Sequence, residues 1–201
     1  AVSISDFNYD TNSVTSTALT SSASSSNAAS SVAEGGALFV GERSGSVSIS
    51  GTTKTASGNF AKALANDNAA TSGATARGGA FYVGSNTVGA VSLSGSIEFS
   101  ANYATASSGV ARDGVAATTG SADSYAEGGA LYIGNSNHSV SINGTFNAHN
   151  NYVTAISYSL ANGTVAEASG GAFYIGDNTD TTILLTGTLT FTSNTATATG
   201  T

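Results

Sequence analysis

One short motif recurs four times along this chain of 201 residues, and it limits the possible folds more than any other feature. The motif reads Ala-x-Gly-Gly-Ala, then an apolar residue, an aromatic residue, a β-branched residue and glycine, at 33–41, 76–84, 126–134 and 168–176. Recurrence at roughly 45 residues is typical of repeat architectures, in which each unit buries its apolar face against its neighbours. We therefore interpret the chain as one repeat domain, with units at about 2–46, 47–90, 91–139, 140–182 and 183–201.

Two further motifs repeat in step with the first. One alternates apolar and small polar residues before a glycine, as in Val-Ser-Ile-Ser-Gly at 47–51, and the other ends in asparagine. Alternation with a period of two is the pattern of a strand with one buried face, and glycine permits the tight corner that follows. The sequence thus predicts an all-β protein, a parallel β-helix (β-solenoid) of about four to five repeats.

Stacked repeats would place equivalent residues above one another, at the inter-strand spacing of about 4.8 Å. Two inward ladders would then fill the interior: Leu38, Phe81, Leu131 and Phe173, and beside them Val40, Val83, Ile133 and Ile175. The asparagines of the third motif would form an amide ladder at one corner, each side chain bonding to its neighbours. These asparagines are Asn12, Asn59, Asn102, Asn151 and Asn194.

The aromatic residues of the first motif point away from the inward ladders, at Phe39, Tyr82, Tyr132 and Tyr174. An exposed aromatic ladder could bind sugar rings by stacking. Four exposed aromatic side chains in a row would also make an apolar patch that promotes nonspecific association. This favours the interpretation that other parts of the chain cover them.

The stretches between each asparagine and the next Gly-Gly are longer than a compact triangular coil needs. They are rich in alanine, serine and threonine, and they occupy 13–34, 60–77, 103–127 and 152–169. Either they form a second, narrow coil, or they are excursions packed on the outside of the first. Because alanine cannot extend a core of leucine, phenylalanine and isoleucine without leaving voids, we favour excursions that cover the outward aromatic residues.

Composition excludes several classes of function. The net charge is −7 with only five Lys and Arg residues, so the chain has no basic stripe for nucleic acid, and an anionic membrane surface would repel it. No apolar run reaches the roughly 18 residues of a membrane-spanning helix. The chain contains no cysteine, which rules out disulfides and thiolate metal sites. We expect neither a nucleic-acid partner nor membrane insertion of this segment.

No residue pattern predicts catalysis, a cofactor or a metal site, and we expect no enzyme. Asp177 and Asp180 share one turn, but that turn lacks the Asp-x-Asn-x-Asp-Gly order of a calcium loop. His138 and His149 lie on different segments and suggest no catalytic or metal-binding constellation. Asn-x-Ser/Thr sites, which so polar a chain contains by chance, would permit glycosylation at Asn137, Asn143 and Asn162.

The first and third motifs resemble the Gly-Gly-Ala-Ile and Phe-x-x-Asn repeats of chlamydial polymorphic membrane proteins and related autotransporter passenger domains. The matching stretches are GGAL at 35–38 and 128–131, GGAF at 78–81 and 170–173, FSAN at 99–102 and FTSN at 191–194, with weaker versions at 9–12, 56–59 and 148–151. The resemblance covers nearly the whole chain. It implies a right-handed parallel β-helix, secretion to the cell surface and a role in adhesion, with glycans or host surface proteins as partners. The chain departs from the family in its length.

Neither end of the predicted stack carries a capping helix or a charged, proline-bearing strand. Bare ends would offer unpaired backbone groups to another chain. We expect residues 183–194 of one copy to stack on residues 2–12 of the next, a heterologous contact that builds a filament. The sequence hypothesis is therefore a non-catalytic, extracellular structural protein that self-assembles end to end. The alternatives are an adhesin segment of an autotransporter-like passenger, and a polysaccharide-acting β-helix enzyme.

Overall fold

A computed structural model of the chain describes residues 1–19, 29–42, 45–52, 54–66, 72–85, 89–109, 121–135, 139–158, 164–176 and 182–200. Within these ranges the backbone forms strands joined by turns, and it forms no helix. The prediction of an all-β fold rich in parallel strands is thereby confirmed. None of these residues belongs to a helix that could cross a membrane.

The strands follow the repeats of the sequence. The first repeat contributes β1 (Val2–Ser5), β2 (Asn8–Asp10), β3 (Ser13–Leu19), β4 (Ala29–Glu34) and β5 (Leu38–Val40). The second contributes β6 (Val47–Ser50), β7 (Lys54–Ser57), β8 (Phe60–Asn66), β9 (Ser72–Arg77) and β10 (Phe81–Val83). The third contributes β11 (Val91–Ser100), β12 (Tyr103–Ser108), β13 (Ala122–Glu127) and β14 (Leu131–Ile133). The remainder forms β15 (Val140–His149), β16 (Tyr152–Ser157), β17 (Val165–Ser169), β18 (Phe173–Ile175), β19 (Ile183–Thr192) and β20 (Thr195–Gly200).

Equivalent strands of successive repeats pair in parallel and form four sheets. Sheet A contains β1, β6, β11, β15 and β19 in that order. In the first two repeats the strand is interrupted, so that β2 and β7 take the place of the second half of β11, with which β7 pairs. Sheet B contains β3, β8, β12, β16 and β20; sheet C contains β4, β9, β13 and β17; sheet D contains β5, β10, β14 and β18. Each of the first four repeats visits the sheets in the order A, B, C, D, and the fifth contributes β19 to sheet A and β20 to sheet B. We call the strands of one repeat a rung. Parallel neighbours need a long connection, which the strands in the other three sheets provide.

A large apolar core combines inward side chains of sheets A and D. The register places Phe81 between Leu38 and Leu131, and it places Phe173 next to Leu131. A second column of Val40, Val83, Ile133 and Ile175 runs beside the first. Aromatic rings from the two sheets meet edge to face, as Phe81 and Phe99 do with ring centroids 5.3 Å apart. Burial of each Leu, Ile or Phe side chain contributes about 1.5–3 kcal/mol.

The alanine-rich stretches form sheets B and C, which enclose a second, small core made almost entirely of alanine. The preference for outside excursions was therefore wrong, since these stretches form two sheets of parallel strands with a core of their own. The alanines do not extend the large core, so they leave no voids in it. Their short side chains instead suit a separate layer between two sheets that approach closely. The core alanines include Ala61, Ala63, Ala65, Ala74, Ala76, Ala104, Ala106 and Ala155.

Between the two cores the Gly-Gly backbone lies against the backbone that enters sheet B, and we call this line of close contact the waist. Glycine makes the close contact possible. The first glycine of each Gly-Gly pair has a positive φ, between +58° and +65°, which turns the chain from sheet C into sheet D. The second glycine lies against the backbone that enters sheet B, because a Cβ atom added to Gly79 would lie 2.6 Å from the backbone N and C of Tyr103. The Gly-Gly motif thus brings two backbones together at a distance that no side chain permits.

Candidate functional site

The asparagine ladder runs through the waist and has a direction. The backbone N and the Nδ2 of Asn59 both donate to Oδ1 of Asn102, at 3.0 Å each. Asn102 donates in the same way to Oδ1 of Asn151, at 3.1 and 3.0 Å. The second Nδ2 hydrogen of Asn102 goes to the carbonyl oxygen of Ala56, at 2.8 Å. Every bond from one ladder asparagine to the next therefore has its acceptor on the later repeat, whereas the bond to a main-chain carbonyl oxygen goes back to the earlier repeat.

The two ends of this ladder are complementary. Asn12 donates to Oδ1 of Asn59, at 2.9 and 3.0 Å, and no described residue donates to Oδ1 of Asn12. Asn194 accepts from Asn151, at 3.0 and 2.9 Å. The Nδ2 of Asn194 has one partner, the carbonyl oxygen of Ala148 at 2.8 Å, which leaves its second hydrogen without an acceptor in the described part of the chain. One end of the ladder thus offers an acceptor and the other end offers donors.

Sheet A ends in a long, apolar strand that is open to solvent. Leu185 is 52% exposed, whereas Ile142, its neighbour one rung earlier, is 1% exposed. Ile183 and Phe191 point to the same side as Leu185, and both are large exposed side chains. β19 pairs with β15 on one side only. Edge strands of this length, with apolar side chains, are a template for pairing with another chain.

The same end of the stack is stepped rather than flat. Sheets A and B have five rungs, whereas sheets C and D have four. β19 therefore stands one rung beyond β18, and an apolar cleft of about 270 Å³ opens between them. The cleft is lined by Ile142, Phe173, Ile175, Leu185, Leu189 and Phe191.

The outward aromatic residues of the first motif stack on one another. The rings of Phe39, Tyr82, Tyr132 and Tyr174 lie nearly parallel, with successive centroids 5.1, 5.2 and 5.3 Å apart. Tyr82 and Tyr132 are buried, whereas Phe39 at the end of the row is exposed. The neighbouring rings, rather than alanine-rich excursions, occupy the ring faces that a sugar would need.

A charged row flanks these rings. Arg77 donates to Glu127 at 2.7 Å and to Glu34 at 3.3 Å, and its guanidinium lies 5.1 Å from the centroid of the Tyr132 ring. Burial raises the pKa of Tyr132 to about 12, although the nearby Arg77 acts in the opposite sense. Arg77 thus joins the ion pairs of sheet C to the aromatic row of sheet D.

A second aromatic row, to which the sequence interpretation gave no role, faces solvent on sheet B. Its rings belong to Phe60, Tyr103 and Tyr152, the residues that directly follow three of the ladder asparagines. Successive centroids are 5.9 and 6.5 Å apart, and the second pair is tilted by 42°. Tyr103 and Tyr152 are both exposed. The signal was present in the sequence, since an aromatic residue recurs at this position, but exposure could not be read from it.

The remaining residues considered from the sequence form no cluster. Within the described ranges, no group of three or more His, Asp or Glu side chains converges on one point. His149 lies on the outer face of sheet A, 3.1 Å from a carboxylate oxygen of Glu98, and Asn143 is exposed on the same strand. Outside the described residues lie Asp177, Asp180, His138, Asn137 and Asn162.

Lys54 is a buried cation in the large core, and the sequence did not reveal it. Its side chain is 1% exposed and occupies an inward position next to Ile97. The ammonium group donates to the carbonyl oxygens of Gly51 at 2.8 Å and Ser94 at 2.7 Å. These two bonds replace part of the lost hydration, and burial lowers the pKa of Lys54, with Asp6 acting in the opposite sense.

Lys54 is expected to make stability rise with pH in the alkaline range. Because its pKa is lowered from the ordinary 10.5, the folded chain loses this proton at a lower pH than the unfolded chain. Between the lowered pKa and 10.5 the unfolded state binds more protons, so the free energy of unfolding increases with pH. Urea unfolding of the wild type and of Lys54→Met at a series of pH values measures the effect. The free energy of unfolding of the wild type minus that of Lys54→Met should increase as the pH approaches 10.5. A difference that stays constant with pH would contradict this assignment.

No protein-family model matches the chain, and no curated protein or solved structure matches it either.

Proposed function

We propose that the chain is a β-solenoid that acts as a non-catalytic structural protein outside the cell and assembles end to end. The in-register parallel pairing of equivalent strands, in the same sheet order in every repeat, supports a continuous coil with two cores. The low charged fraction of 8% supports a stacked structure, since its outer ladders are made largely of hydroxyls and amides rather than like charges.

The observation that carries the assembly proposal is the open apolar face of β19. Continuing the register of sheet A by one rung places Val2 of a second copy beside Ile183, Ile4 beside Leu185 and Tyr9 beside Phe191. Each contact joins an apolar side chain to another. The second copy would therefore cover the exposed face with the kind of ladder that fills every inner rung.

The ends of the asparagine ladder support one polarity for this assembly. In the continued register Asn12 of the second copy follows Asn194, so the free donors of Asn194 meet the free acceptor of Asn12. Head-to-head contact would place acceptor against acceptor, and tail-to-tail contact donor against donor. The contact is therefore heterologous and open, which builds a polar filament.

An adhesin is the second candidate function, and the exposed aromatic row favours it. Tyr103 and Tyr152 are 37% and 41% exposed on the outer face of sheet B, which also carries threonines and the half-buried side chains of Leu64 and Ile156. Exposed tyrosines combine a flat apolar ring with a hydroxyl group, which suits both glycans and protein surfaces. On this alternative the stack is a rigid support, and the row of sheet B is its contact surface.

Association should depend on protein concentration and on Leu185. In Leu185→Lys an ammonium group would meet the apolar strand of the second copy, and burying it there costs several kcal/mol, enough to weaken association at least about tenfold. Leu184→Lys is the matched control, because Leu184 is equally exposed at 50% but points to the outer face. Sedimentation velocity over a range of concentrations measures association, and thermal melts show whether each variant folds. Monomers at every concentration, or equal association of both variants, would overturn the assembly proposal.

A further inference from the structure

We propose that Tyr103 and Tyr152 form a covalent cross-linking site, at which hydrogen peroxide, acting through a haem peroxidase, joins the two phenol rings into dityrosine. The two residues pair in register on β12 and β16, the third and fourth strands of sheet B. Both are inner strands of that sheet, with β8 and β20 on their other sides. The inference concerns one folded chain, so it does not rest on end-to-end assembly.

The register and the exposure of the two tyrosines suit the coupling of their rings. Paired residues on parallel neighbours lie about 4.8 Å apart, and the two ring centroids are 6.5 Å apart. Tyr103 and Tyr152 are 37% and 41% exposed, so solvent reaches both residues and their side chains have room to rotate. The ring planes are tilted by 42°, and rotation about the side-chain bonds from this arrangement brings two ring edges together.

The reaction balances with one molecule of hydrogen peroxide. Each tyrosine gives up one electron and its hydroxyl proton, and the two tyrosyl radicals form a carbon–carbon bond between their Cε atoms, next to the hydroxyl-bearing carbons. The ring hydrogens at the new bond then move to the phenol oxygens, which restores both hydroxyl groups. The two electrons and two protons reduce the peroxide to two molecules of water. Because both radicals belong to one chain, their coupling is favoured over collisions between chains.

The tyrosines of sheet D lie closer together but do not suit this coupling. The ring centroids of Tyr82 and Tyr132 are 5.2 Å apart, but their planes differ by only 2°, so the rings lie face to face rather than edge to edge. Both residues are buried, which shields them from an enzyme. Burial also raises the pKa of both phenols, which opposes loss of the hydroxyl proton.

The site on sheet B yields a single cross-link. The adjoining rungs place Phe60 beside Tyr103 and Thr195 beside Tyr152, and neither of these neighbours carries a phenol. The cross-link therefore joins β12 to β16 alone and closes the loop of chain between residues 103 and 152. Closing so long a loop restricts the unfolded chain, as a disulfide does, in a sequence that contains no cysteine. The midpoint of thermal unfolding should rise by at least several degrees.

Treatment of the purified protein with hydrogen peroxide and a haem peroxidase tests the inference. Dityrosine fluorescence should appear in the single-chain band after denaturing electrophoresis, and the intact mass of that chain should fall by two hydrogen atoms. Tyr103→Phe and Tyr152→Phe keep the ring but remove the hydroxyl group, and each should lose this fluorescence. Tyr132→Phe is the matched control, because it makes the same change in the aromatic row of sheet D, and it should retain the wild-type yield.

Three results would overturn the inference. They are a single-chain band without dityrosine under conditions in which free tyrosine couples, equal yields from the wild type and Tyr152→Phe, and loss of the signal in a folded Tyr132→Phe variant. Circular dichroism shows whether each variant folds, and the two substitutions on sheet B test the same bond from either side. Because denaturing electrophoresis separates associated chains, each of these results is independent of whether the protein assembles.

Discussion

Gly79→Ala should lose most of its folding stability, whereas Gly73→Ala should remain close to the wild type. A Cβ atom on Gly79 would lie 2.6 Å from the backbone N and C of Tyr103, and backbone in the waist cannot move aside without separating the two cores. We expect a loss of about 4 kcal/mol or more, among the largest effects of a single substitution. Urea unfolding followed by circular dichroism measures this loss.

Gly73 is the matched control because it lies in β9, six residues before Gly79. A Cβ atom on Gly73 meets nothing within 4 Å. Alanine there should change stability by less than about 1 kcal/mol, with a stabilising sign, since it restricts the unfolded chain. Similar losses in the two variants would show that the close approach of backbones at the waist does not occur.

Asn102→Leu should be destabilised by about 4 kcal/mol or more, although leucine has a similar volume. The substitution leaves both donors of Asn59 without their acceptor and the carbonyl oxygen of Ala56 without its donor. Asn102 is completely buried, so water cannot replace the lost partners. Each buried polar group without a partner costs about 1–3 kcal/mol. The free energy of unfolding from urea titrations gives the value.

Asn147→Ala is the control for the amide ladder. Asn147 lies on β15 and points to the solvent side of sheet A, where it is exposed. Substitutions at such surface positions stay within about 0.5 kcal/mol. An Asn102→Leu variant as stable as Asn147→Ala would contradict the assignment of the asparagine column as a continuous hydrogen-bonded ladder.

The sequence was sufficient to predict the strands of sheets A and D and their alignment, because alternation and repeat spacing act locally. Val47, Val91 and Val140 stand at the same place in three copies of one motif, and the structure pairs them in that register. The asparagines are equally regular, so their alignment followed from repeat phase alone. In both cases the physical cause is the two-residue period of a strand, which a sequence displays directly.

The alanine core could not be predicted in the same way. Ala61 and Ala104 are compatible with an outer layer or with a narrow interior, since alanine is small enough for either. The choice depends on how closely sheets B and C approach, and the waist at Gly79 and Tyr103 sets that distance. Lys54 was missed for a related reason. A lysine interrupts an apolar column only where carbonyl oxygens from two rungs converge on its ammonium group, and such convergence is a property of the fold.

The most direct test of the account places spin labels on the two ends of the stack. The chain has no cysteine, so single cysteines at Ser3 and Leu184 can be labelled cleanly. In the continued register Leu184 of one copy lies beside Ser3 of the next, about 4.8 Å apart along the stack. Within one copy the same two residues are four rungs apart, about 19 Å.

Continuous-wave electron paramagnetic resonance spectra of the two labelled chains, alone and mixed in equal amounts, then distinguish the possible contacts. Polar end-to-end stacking predicts strong dipolar broadening in the mixture and narrow lines for each chain alone, at concentrations where the wild type associates. Broadening in a singly labelled sample would indicate head-to-head or tail-to-tail contact. Narrow lines in the mixture would show that the ladders do not continue from one copy to the next, and the proposed filament would be wrong.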